Sequence, residues 1–361
     1  MIEVGIIGGG INSEIGRVHI SSLKVLPYNI KCACFSRDKI INKQTKKKYN
    51  LNTTKLYDNY KDLLKKEKIN LLIILTPTPA HYEIINKAIE KKIPVICEKP
   101  ITSDLNSAKK IFDKIKKKKV FFCITHNYSY YPIIKEFKQI IKQKKKIGIV
   151  KQIFIKYPQD SFFHKNLVKK WRLKRYEINS LSLDLGSHVY SLSEYLLDQK
   201  PEKIFANYNS FASNKIIDDI KVLVKYKNNV CGSYWYSKSA IGYKNGLEIE
   251  VFGTRGSLQW IQTDPENIIF RKINGEKHIL SRDIENLSKK YKEYHQFKAG
   301  HPVGFMETMI NLYLDVYKNL TKNNKKSKKK PFLYGLNEAY NTIKFLSRLN
   351  KSNKERKWIN F

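Results

Sequence analysis

Asp184 and His188 lie four residues apart in SLDLGSHVYSLSEYLL, a segment whose apolar spacing predicts a helix over residues 182–197. At this spacing both side chains project from one face of the helix. A histidine can take a proton from a hydroxyl group near neutral pH, and a neighbouring carboxylate can orient the ring and stabilise its charge. The pair is therefore a candidate general base. The alternative is a capping aspartate and a partly buried histidine.

Polar residues also follow three predicted buried strands. The segments are TPTPAH (76–81), EKP (98–100) and THNY (125–128), which come after the apolar runs LLIIL, PVIC and VFFCI. An open parallel sheet binds ligands at the carboxyl ends of its strands, so the three segments are expected at one edge. Lys99 would be held and partly desolvated there. The alternative is one more surface charge in a chain with 69 lysines and arginines.

The glycine-rich segment GGGINSEIG follows the first predicted strand and opens a predicted helix. It departs from G-x-G-x-x-G, because Ser13 occupies the third glycine position. Gly8 permits a tight turn, Gly10 lets the backbone approach a phosphate, and Gly16 can take the third role if the loop is three residues longer. Asn12 and Ser13 then add polar groups near the phosphates. The segment predicts a dinucleotide loop; the alternative is a plain glycine turn.

The residues after the second predicted strand bear on the choice between NAD and NADP. An acidic side chain here usually accepts hydrogen bonds from the ribose hydroxyls, whereas an arginine accommodates a 2′-phosphate. The chain has Ser36, Arg37 and Asp38 at this point. Ser36 and Arg37 could hold a 2′-phosphate, while Asp38 could cap the next helix. The pattern slightly favours NADP and leaves NAD open.

Residues 1–125 alternate apolar strands with amphipathic helices, which predicts an α/β Rossmann domain with a doubly wound parallel sheet. The predicted strands are 4–8, 30–35, 55–58, 71–75, 94–97 and 120–124, and the predicted helices are 16–26, 38–48, 59–66, 80–92 and 103–119.

Residues 126–361 predict a second, α+β domain for substrate binding and oligomerisation, with an open, mainly antiparallel sheet and helices on one face. Asn228 and Asn229 mark a hairpin between two of its strands. The predicted strands are 149–157, 203–211, 219–227, 230–238, 247–253, 256–262 and 268–273, and the predicted helices are 132–145, 182–197, 303–320 and 334–349.

The net charge of +37 would suit a nucleic-acid binder. However, only nine of the 69 basic residues are arginine, and the short lysine runs fall at predicted helix ends and in loops. We therefore expect no nucleic-acid partner and interpret the charge as a compositional bias. No apolar run is long enough for a membrane span, no signal peptide is evident, and the five cysteines have no metal-ligand spacing. These features predict a cytoplasmic protein with no membrane partner, no bound metal, and reduced, buried thiols.

Six motifs, in order, resemble the Gfo/Idh/MocA family of NAD(P)-dependent sugar and cyclitol oxidoreductases, and the similarity runs to about residue 318. They are GGGINSEIGRVH, TPTPAH, CEKP, THNYSYYP, DLGSHVYSLSEYL and AGHPVGFMETMINLY. The resemblance implies a catalytic group of Lys99, Asp184 and His188. It also implies cofactor contacts from Gly8, Gly10, Thr76, Pro77, His81 and Glu98. With the neighbouring candidates added, the predicted cofactor set is Gly8, Gly10, Ile11, Asn12, Gly16, Ser36, Arg37, Thr76, Pro77, His81, Glu98 and Lys99.

The expected reaction is reversible oxidation of a secondary alcohol on a sugar, sugar derivative or cyclitol such as inositol. His188 would take the hydroxyl proton, oriented by Asp184, and Lys99 would polarise the oxygen. Candidates for the substrate wall, besides His188, are Asn127, Tyr128, Trp171 and Arg172; Trp171 could instead pack between domains. Two rival classes remain open: redox-neutral, NAD-dependent cleavage of a glycosidic bond, and a non-catalytic nucleotide sensor. Family resemblance and an open sheet also predict a homodimer or homotetramer through the C-terminal sheet.

Overall fold

The computed structural model describes residues 1–164, 176–212, 216–282, 288–321 and 331–361. These residues form two compact units. The first unit comprises Met1–Asn127 and Phe305–Ile343, and the second comprises Tyr128–Gly304 and Lys344–Phe361.

The first unit is built on a six-stranded parallel sheet with the order β3-β2-β1-β4-β5-β6. Its strands are β1 (Ile2–Gly8), β2 (Tyr28–Cys34), β3 (Lys55–Leu56), β4 (Leu71–Leu75), β5 (Val95–Cys97) and β6 (Phe122–Ile124). All five residues of β4 are buried, as an unbroken apolar run in a sheet covered on both faces requires. The strand order reverses between β1 and β4, where doubly wound folds bind their ligands. The predicted Rossmann architecture is confirmed.

The helices between these strands are α1 (Glu14–Lys24), α2 (Lys39–Lys48), α3 (Tyr60–Lys66), α4 (His81–Glu90) and α5 (Leu105–Lys118). Helix α1 begins two residues earlier than predicted, because the Ser13 hydroxyl accepts a hydrogen bond from the Gly16 amide (3.1 Å) and caps the helix. Lysine runs occupy the last turns of α2 and α5, where the helix dipole favours cations.

The second unit contains a nine-stranded sheet with the order β14-β13-β12-β11-β7-β10-β9-β8-β15, in which only β7 and β10 pair in parallel. The strands are β7 (Val150–Pro158), β8 (Lys203–Asn209), β9 (Asp219–Tyr226), β10 (Val230–Ser237), β11 (Glu248–Gly253), β12 (Gly256–Ile261), β13 (Asp264–Lys272), β14 (Lys277–Ser281) and β15 (Ile359–Asn360). The mainly antiparallel sheet is confirmed, and so is the hairpin at Asn228 and Asn229, whose φ angles are 59° and 56°. The sequence did not predict β14 or β15, because one is largely exposed and the other has two residues.

The remaining helices are α6 (Pro132–Lys142), α7 (Lys144–Ile147), α8 (Ser187–Leu197), α9 (Phe305–Leu320) and α10 (Leu336–Glu355). The helix predicted over 132–145 is thus two helices. The helix predicted over 182–197 has a wide, π-helical first turn at Ser182–Gly186. Helix α9 lies in the first unit, where the Tyr28 hydroxyl donates to the carbonyl oxygen of Tyr313 (2.7 Å).

The five cysteines are free thiols. Four are buried, but the prediction of a buried thiol is wrong for Cys231, which is exposed. The reason is the alternation of β10, in which Cys231 points away from the face that carries Val230 and Tyr234. Within the described ranges, no helix combines the length and apolar character needed to cross a membrane. The same ranges contain no cluster of three or more histidine, cysteine, aspartate or glutamate side chains that could hold a metal ion.

Candidate active site

The loop after β1 requires glycine at three positions. Gly8 and Gly9 have φ angles of +85° and +74°, which L side chains rarely adopt. A Cβ atom on Gly16 would lie 2.2 Å from the carbonyl oxygen of Gly9, so α1 packs directly on the turn. A Cβ atom on Gly10 would meet no atom closer than 3.4 Å. Spacing alone identified Gly8 and Gly16 as turn and packing positions but missed Gly9.

Two residues of the lengthened loop, Ile11 and Ser13, are tied to the neighbouring helices. The Ile11 amide donates to the Thr45 hydroxyl of α2 (2.9 Å), and the Ser13 hydroxyl is used by the cap of α1. Asn12 is exposed. The longer loop is therefore an ordered turn, with Asn12 as its exposed polar side chain.

The segment after β2 places Asp38 at the start of α2. One carboxylate oxygen of Asp38 accepts from the amides of Ile40 (2.7 Å) and Ile41 (3.4 Å), so the predicted capping role is confirmed. The Ser36 hydroxyl accepts from the Asp38 amide (3.1 Å), and the Arg37 side chain is exposed. The residues after β2 thus comprise an exposed arginine and an aspartate whose carboxylate caps α2.

His81 links the loops after β4 and β5. Its ring is fully buried, with Nδ1 2.9 Å from the carbonyl oxygen of Pro100 and Nε2 2.8 Å from that of Thr76. Burial lowers the pKa of His81, although both carbonyls favour the charged ring. Both ring nitrogens thus contact the protein's own backbone, and the side chain positions two loops. Pro77, next to Thr76, is exposed.

Glu98 is held by a buried hydrogen-bond network within the first unit. Its Oε1 atom lies 2.9 Å from His19 Nε2 and accepts a short hydrogen bond from the Thr125 hydroxyl, while His19 Nδ1 lies 2.6 Å from the Tyr313 hydroxyl of α9. Burial alone would raise the pKa of Glu98, but the contacts with His19 and Thr125 and the charge of Lys99 outweigh it and lower that pKa. Sequence reasoning gave no role to His19 or Tyr313. The available signal was a histidine three residues after Gly16, on the buried face of α1.

Lys99 follows β5 at the carboxyl edge of the parallel sheet and is half-buried. Its amide donates to Glu98 Oε2 (3.2 Å), so the network around Glu98 fixes the backbone that carries the lysine. The buried His126 ring is kept neutral, because burial and then the Lys99 charge lower its pKa to about 3. The amide group of Asn127 donates to the Thr308 hydroxyl (2.9 Å).

Asp184 and His188 lie in the second unit, on the π-helical turn and the first turn of α8. The centre of the His188 ring lies 4.8 Å from that of the Tyr128 ring, which it meets edge-on, and 6.2 Å from that of the Tyr157 ring. The hydroxyl oxygens of the two tyrosines lie 2.5 Å apart. Asp184 pairs with Lys238, a residue that sequence reasoning missed. Trp171 and Arg172, predicted to line the substrate, lie outside the described residues.

The carboxyl edge of β1 and β4 fits a dinucleotide. Gly8, Gly9 and Gly16 keep the turn compact, because a Cβ atom on each would overlap atoms of the protein itself. The turn joins β1 to the first turn of α1, which is where dinucleotide-binding folds hold the pyrophosphate. Beside it, the buried hydroxyl oxygen of Thr76 has no hydrogen-bond partner among the residues that the structure describes. A buried hydroxyl group normally has a partner, so Thr76 is suited to a bound ligand.

Comparison with known proteins agrees with the fold. The family model for "Oxidoreductase family, NAD-binding Rossmann fold" matches residues 2–126, and that for "Oxidoreductase family, C-terminal alpha/beta domain" matches residues 138–361. The uncharacterised oxidoreductase YfiI of Bacillus subtilis (strain 168) is 24% identical over 326 residues, covering 85% of this chain and 82% of YfiI.

Two solved structures share the fold over nearly the whole chain. One is an inositol dehydrogenase homologue from Azotobacter vinelandii in complex with NADH and myo-inositol, with a TM-score of 0.89 and 21% identity over 100% of this chain and 97% of that one. The other is a levoglucosan dehydrogenase in complex with NADH and levoglucosan, with a TM-score of 0.86 and 18% identity over 99% of both chains. Because family models match both halves of the sequence, the chain belongs to the Gfo/Idh/MocA family of NAD-binding oxidoreductases.

Proposed function

We propose that this protein is an NAD(P)-dependent dehydrogenase that oxidises a secondary alcohol of a sugar, sugar derivative or cyclitol. The observation that carries the proposal is the position of Lys99. It follows β5, next to β4 in the sheet, at the same carboxyl edge as the glycine turn and the buried hydroxyl of Thr76. An ammonium group there can polarise an alcohol oxygen close to a bound dinucleotide.

In the proposed mechanism, His188 accepts the hydroxyl proton, Asp184 orients and stabilises the charged ring, and Lys99 stabilises the developing negative charge on the oxygen. When bound, the nicotinamide ring supplies the hydride acceptor. The network of His19, Thr125 and Glu98 holds the backbone of Lys99 at the carboxyl edge of the sheet, since Glu98 accepts a hydrogen bond from the Lys99 amide. Tyr128 and Tyr157 restrict the His188 ring.

The substrate class rests on the relatives. The inositol dehydrogenase homologue and the levoglucosan dehydrogenase were both solved with NADH and a cyclic polyhydroxy compound. For this chain we propose the same class, with Asn127 and Tyr128 beside the reacting alcohol and Trp171 and Arg172 as further candidates. We also propose that NADP is accepted at least as well as NAD, because Arg37 is exposed where a 2′-phosphate would lie and Asp38 is engaged in capping α2.

A second copy of the chain is the proposed partner of the outer face of the C-terminal sheet. A cavity of about 600 Å³ lies on this face, and it is lined by apolar side chains and by an ion pair between Lys156 and Glu248 (2.5 Å). Phe154 and Leu223 on the same face are 39% and 47% exposed. An exposed apolar face that carries both charge signs suits a symmetric, self-complementary interface, and we propose a homodimer or homotetramer.

The test is a screen of free sugars, inositols and nucleotide sugars with NAD+ and NADP+, followed at the absorbance of the reduced nicotinamide. The proposal predicts net reduction with at least one cyclic polyol. It also predicts that Lys99→Met and His188→Asn each lower kcat about 10²–10⁴-fold, the usual contribution of acid–base groups. Product formation without a net absorbance change would support glycoside cleavage instead. Cofactor binding without turnover of any compound would support a nucleotide sensor.

A further inference from the structure

Lys238 comes directly after β10 and is 2% exposed. Its Nζ atom lies 2.5 Å from Oδ2 of Asp184. A buried ion pair is by itself a weak source of stability, because removing both charges from water offsets much of their attraction. The choice of a buried lysine at this carboxylate therefore needs a reason other than stability.

Close packing of the π-helical turn on β10 brings the pair together. A Cβ atom on Gly186 would lie 2.9 Å from the Tyr236 ring and hydroxyl, and the Ser182 and Tyr236 hydroxyls are 3.1 Å apart. Asp184 precedes Gly186 by two residues, and Lys238 follows Tyr236 by two. The close contact at Gly186 thus brings the Asp184 carboxylate and the Lys238 ammonium group together.

Backbone contacts fix Lys238 on both sides. Its amide donates to the carbonyl oxygen of Asp218 (2.7 Å), and its carbonyl oxygen accepts from the Phe162 amide (3.0 Å). Its ammonium group also lies 5.4 Å from the centre of the Phe162 ring, within the range of a cation–π contact. The backbone of Lys238 is therefore fixed, and its buried ammonium group contacts both the Phe162 ring and the Asp184 carboxylate.

We propose that Lys238 is a positioning residue of the proton-transfer site: it holds the Asp184 carboxylate and offsets its charge, and so sets the pH at which His188 accepts a proton. The role in catalysis rests on the proposed dehydrogenase function; the effect on His188 does not. A fixed cation beside Asp184 weakens the pull of that carboxylate on a proton at His188. A neutral side chain in its place should make His188 easier to protonate.

The ionisable groups that face this site in the described part of the second unit are few. Tyr128 lies before α6, Tyr157 at the end of β7, and Lys238 after β10. Burial, together with the charge of Asp184, raises the pKa of both tyrosines, so neither hydroxyl ionises near neutral pH. Asp184 and Lys238 are thus the charges expected to govern the protonation of His188 from within this unit.

The experiment is an NMR titration of protein labelled with ¹³C in its histidine rings, with the His188 signal assigned from the His188→Asn variant. The Lys238→Gln variant keeps a hydrogen-bond donor for Asp184 but loses the positive charge. The midpoint of the His188 titration should then rise by about one pH unit, because that is the effect of a nearby charge at an effective dielectric constant of about 20. Lys238→Met should shift it in the same direction, and Lys238→Arg should restore the wild-type midpoint. If the screen identifies a polyol substrate, the apparent pKa of the acid limb of its kcat/KM profile should rise by a similar amount.

Lys138→Gln is the matched control, because Lys138 is also buried and also pairs with an aspartate, Asp198, at 2.6 Å. It should leave the His188 midpoint unchanged. An unchanged midpoint in Lys238→Gln would overturn the proposal, and so would failure of both charge-removing variants to fold, since Lys238 would then act on stability. A shifted midpoint in a protein that oxidises no polyol would leave the ion-pair role standing and refute only the dehydrogenase function.

Discussion

His19 and Glu98 form a buried pair in the first unit, with Nε2 of the histidine 2.9 Å from Oε1 of the carboxylate. The pair joins α1 to the end of β5, and the contact of His19 with Tyr313 extends it to α9. Because Glu98 in turn accepts from the Lys99 amide, helices distant in sequence fix the proposed catalytic lysine. This network is the main structural feature of the site that the motifs did not reveal.

Replacement of His19 should therefore destabilise the protein. His19→Phe keeps a planar ring but removes the partner of the Tyr313 hydroxyl and one of the partners of Glu98, which keeps its contacts with Thr125 and the Lys99 amide. The free energy of unfolding should fall by about 2–5 kcal/mol, since an unsatisfied buried group costs about 1–3 kcal/mol and a lost hydrogen bond to a charged group about 1.5–3 kcal/mol. Urea denaturation measures this. Tyr313→Phe removes only the outer hydroxyl and should lose about 1 kcal/mol. A His19→Phe protein as stable as wild type would show that the network contributes nothing.

The lowered pKa of Glu98 predicts a specific pH dependence of stability. A carboxyl group whose pKa is lower in the folded than in the unfolded protein stabilises the fold above its unfolded value, here about 4.5. This stabilisation is lost as the pH falls through the folded pKa. Glu98→Gln has no such group, so the difference in stability between wild type and variant should narrow as the pH falls below the unfolded value and through the lower folded pKa. Denaturation midpoints across this range test it; a constant gap would contradict the lowered pKa.

Two glycines of the loop should respond differently to alanine. In Gly16→Ala the new methyl group would meet the Gly9 carbonyl oxygen at 2.2 Å, and overpacking of this kind costs about 1–3 kcal/mol. Gly10→Ala meets nothing closer than 3.4 Å and should leave the melting temperature unchanged. If the backbone of Gly10 approaches a pyrophosphate, however, the same variant should bind NAD(P)H more weakly. Melting curves and nucleotide fluorescence separate the two effects; a stable Gly16→Ala protein would refute the packing role.

The sequence predicted most of the fold because its signals are local. The apolar run of β4 and the spacing of Gly8 and Gly16 each involve residues that are close together in the sequence. The contacts of His19 with Glu98 and Tyr313 instead join residues 79 and 294 positions apart, and no periodicity marks such partners.

Lys238 was missed for the same reason, since its partner Asp184 lies 54 positions away. It was also one lysine among many in a strongly basic chain. Cys231 shows the opposite error, because hydrophobic neighbours along a strand do not show which face a side chain takes. Long-range polar pairs and the choice of strand face therefore needed the three-dimensional structure.

Cofactor choice can be tested at Arg37. Arg37→Ala should weaken binding of NADPH by about tenfold to hundredfold, because a hydrogen bond to a charged group contributes about 1.5–3 kcal/mol. Binding of NADH, which lacks the 2′-phosphate, should change little. Arg255→Ala removes another exposed arginine, in the second unit, and should affect neither cofactor. Equal loss of affinity for both cofactors in Arg37→Ala would argue against recognition of a 2′-phosphate.

The outer face of the C-terminal sheet can be tested by charge. In a symmetric dimer, Leu223→Arg would bury one new cation from each chain in an apolar contact. Removing each ion from water costs several kcal/mol. The variant should therefore shift the particle mass, measured by light scattering, towards the 42.4 kDa of one chain. Ile273→Arg replaces an apolar residue that is 82% exposed in the turn after β13, and it should leave the mass unchanged. An oligomer that survives Leu223→Arg, and also Phe154→Glu on the same face, must assemble through another surface.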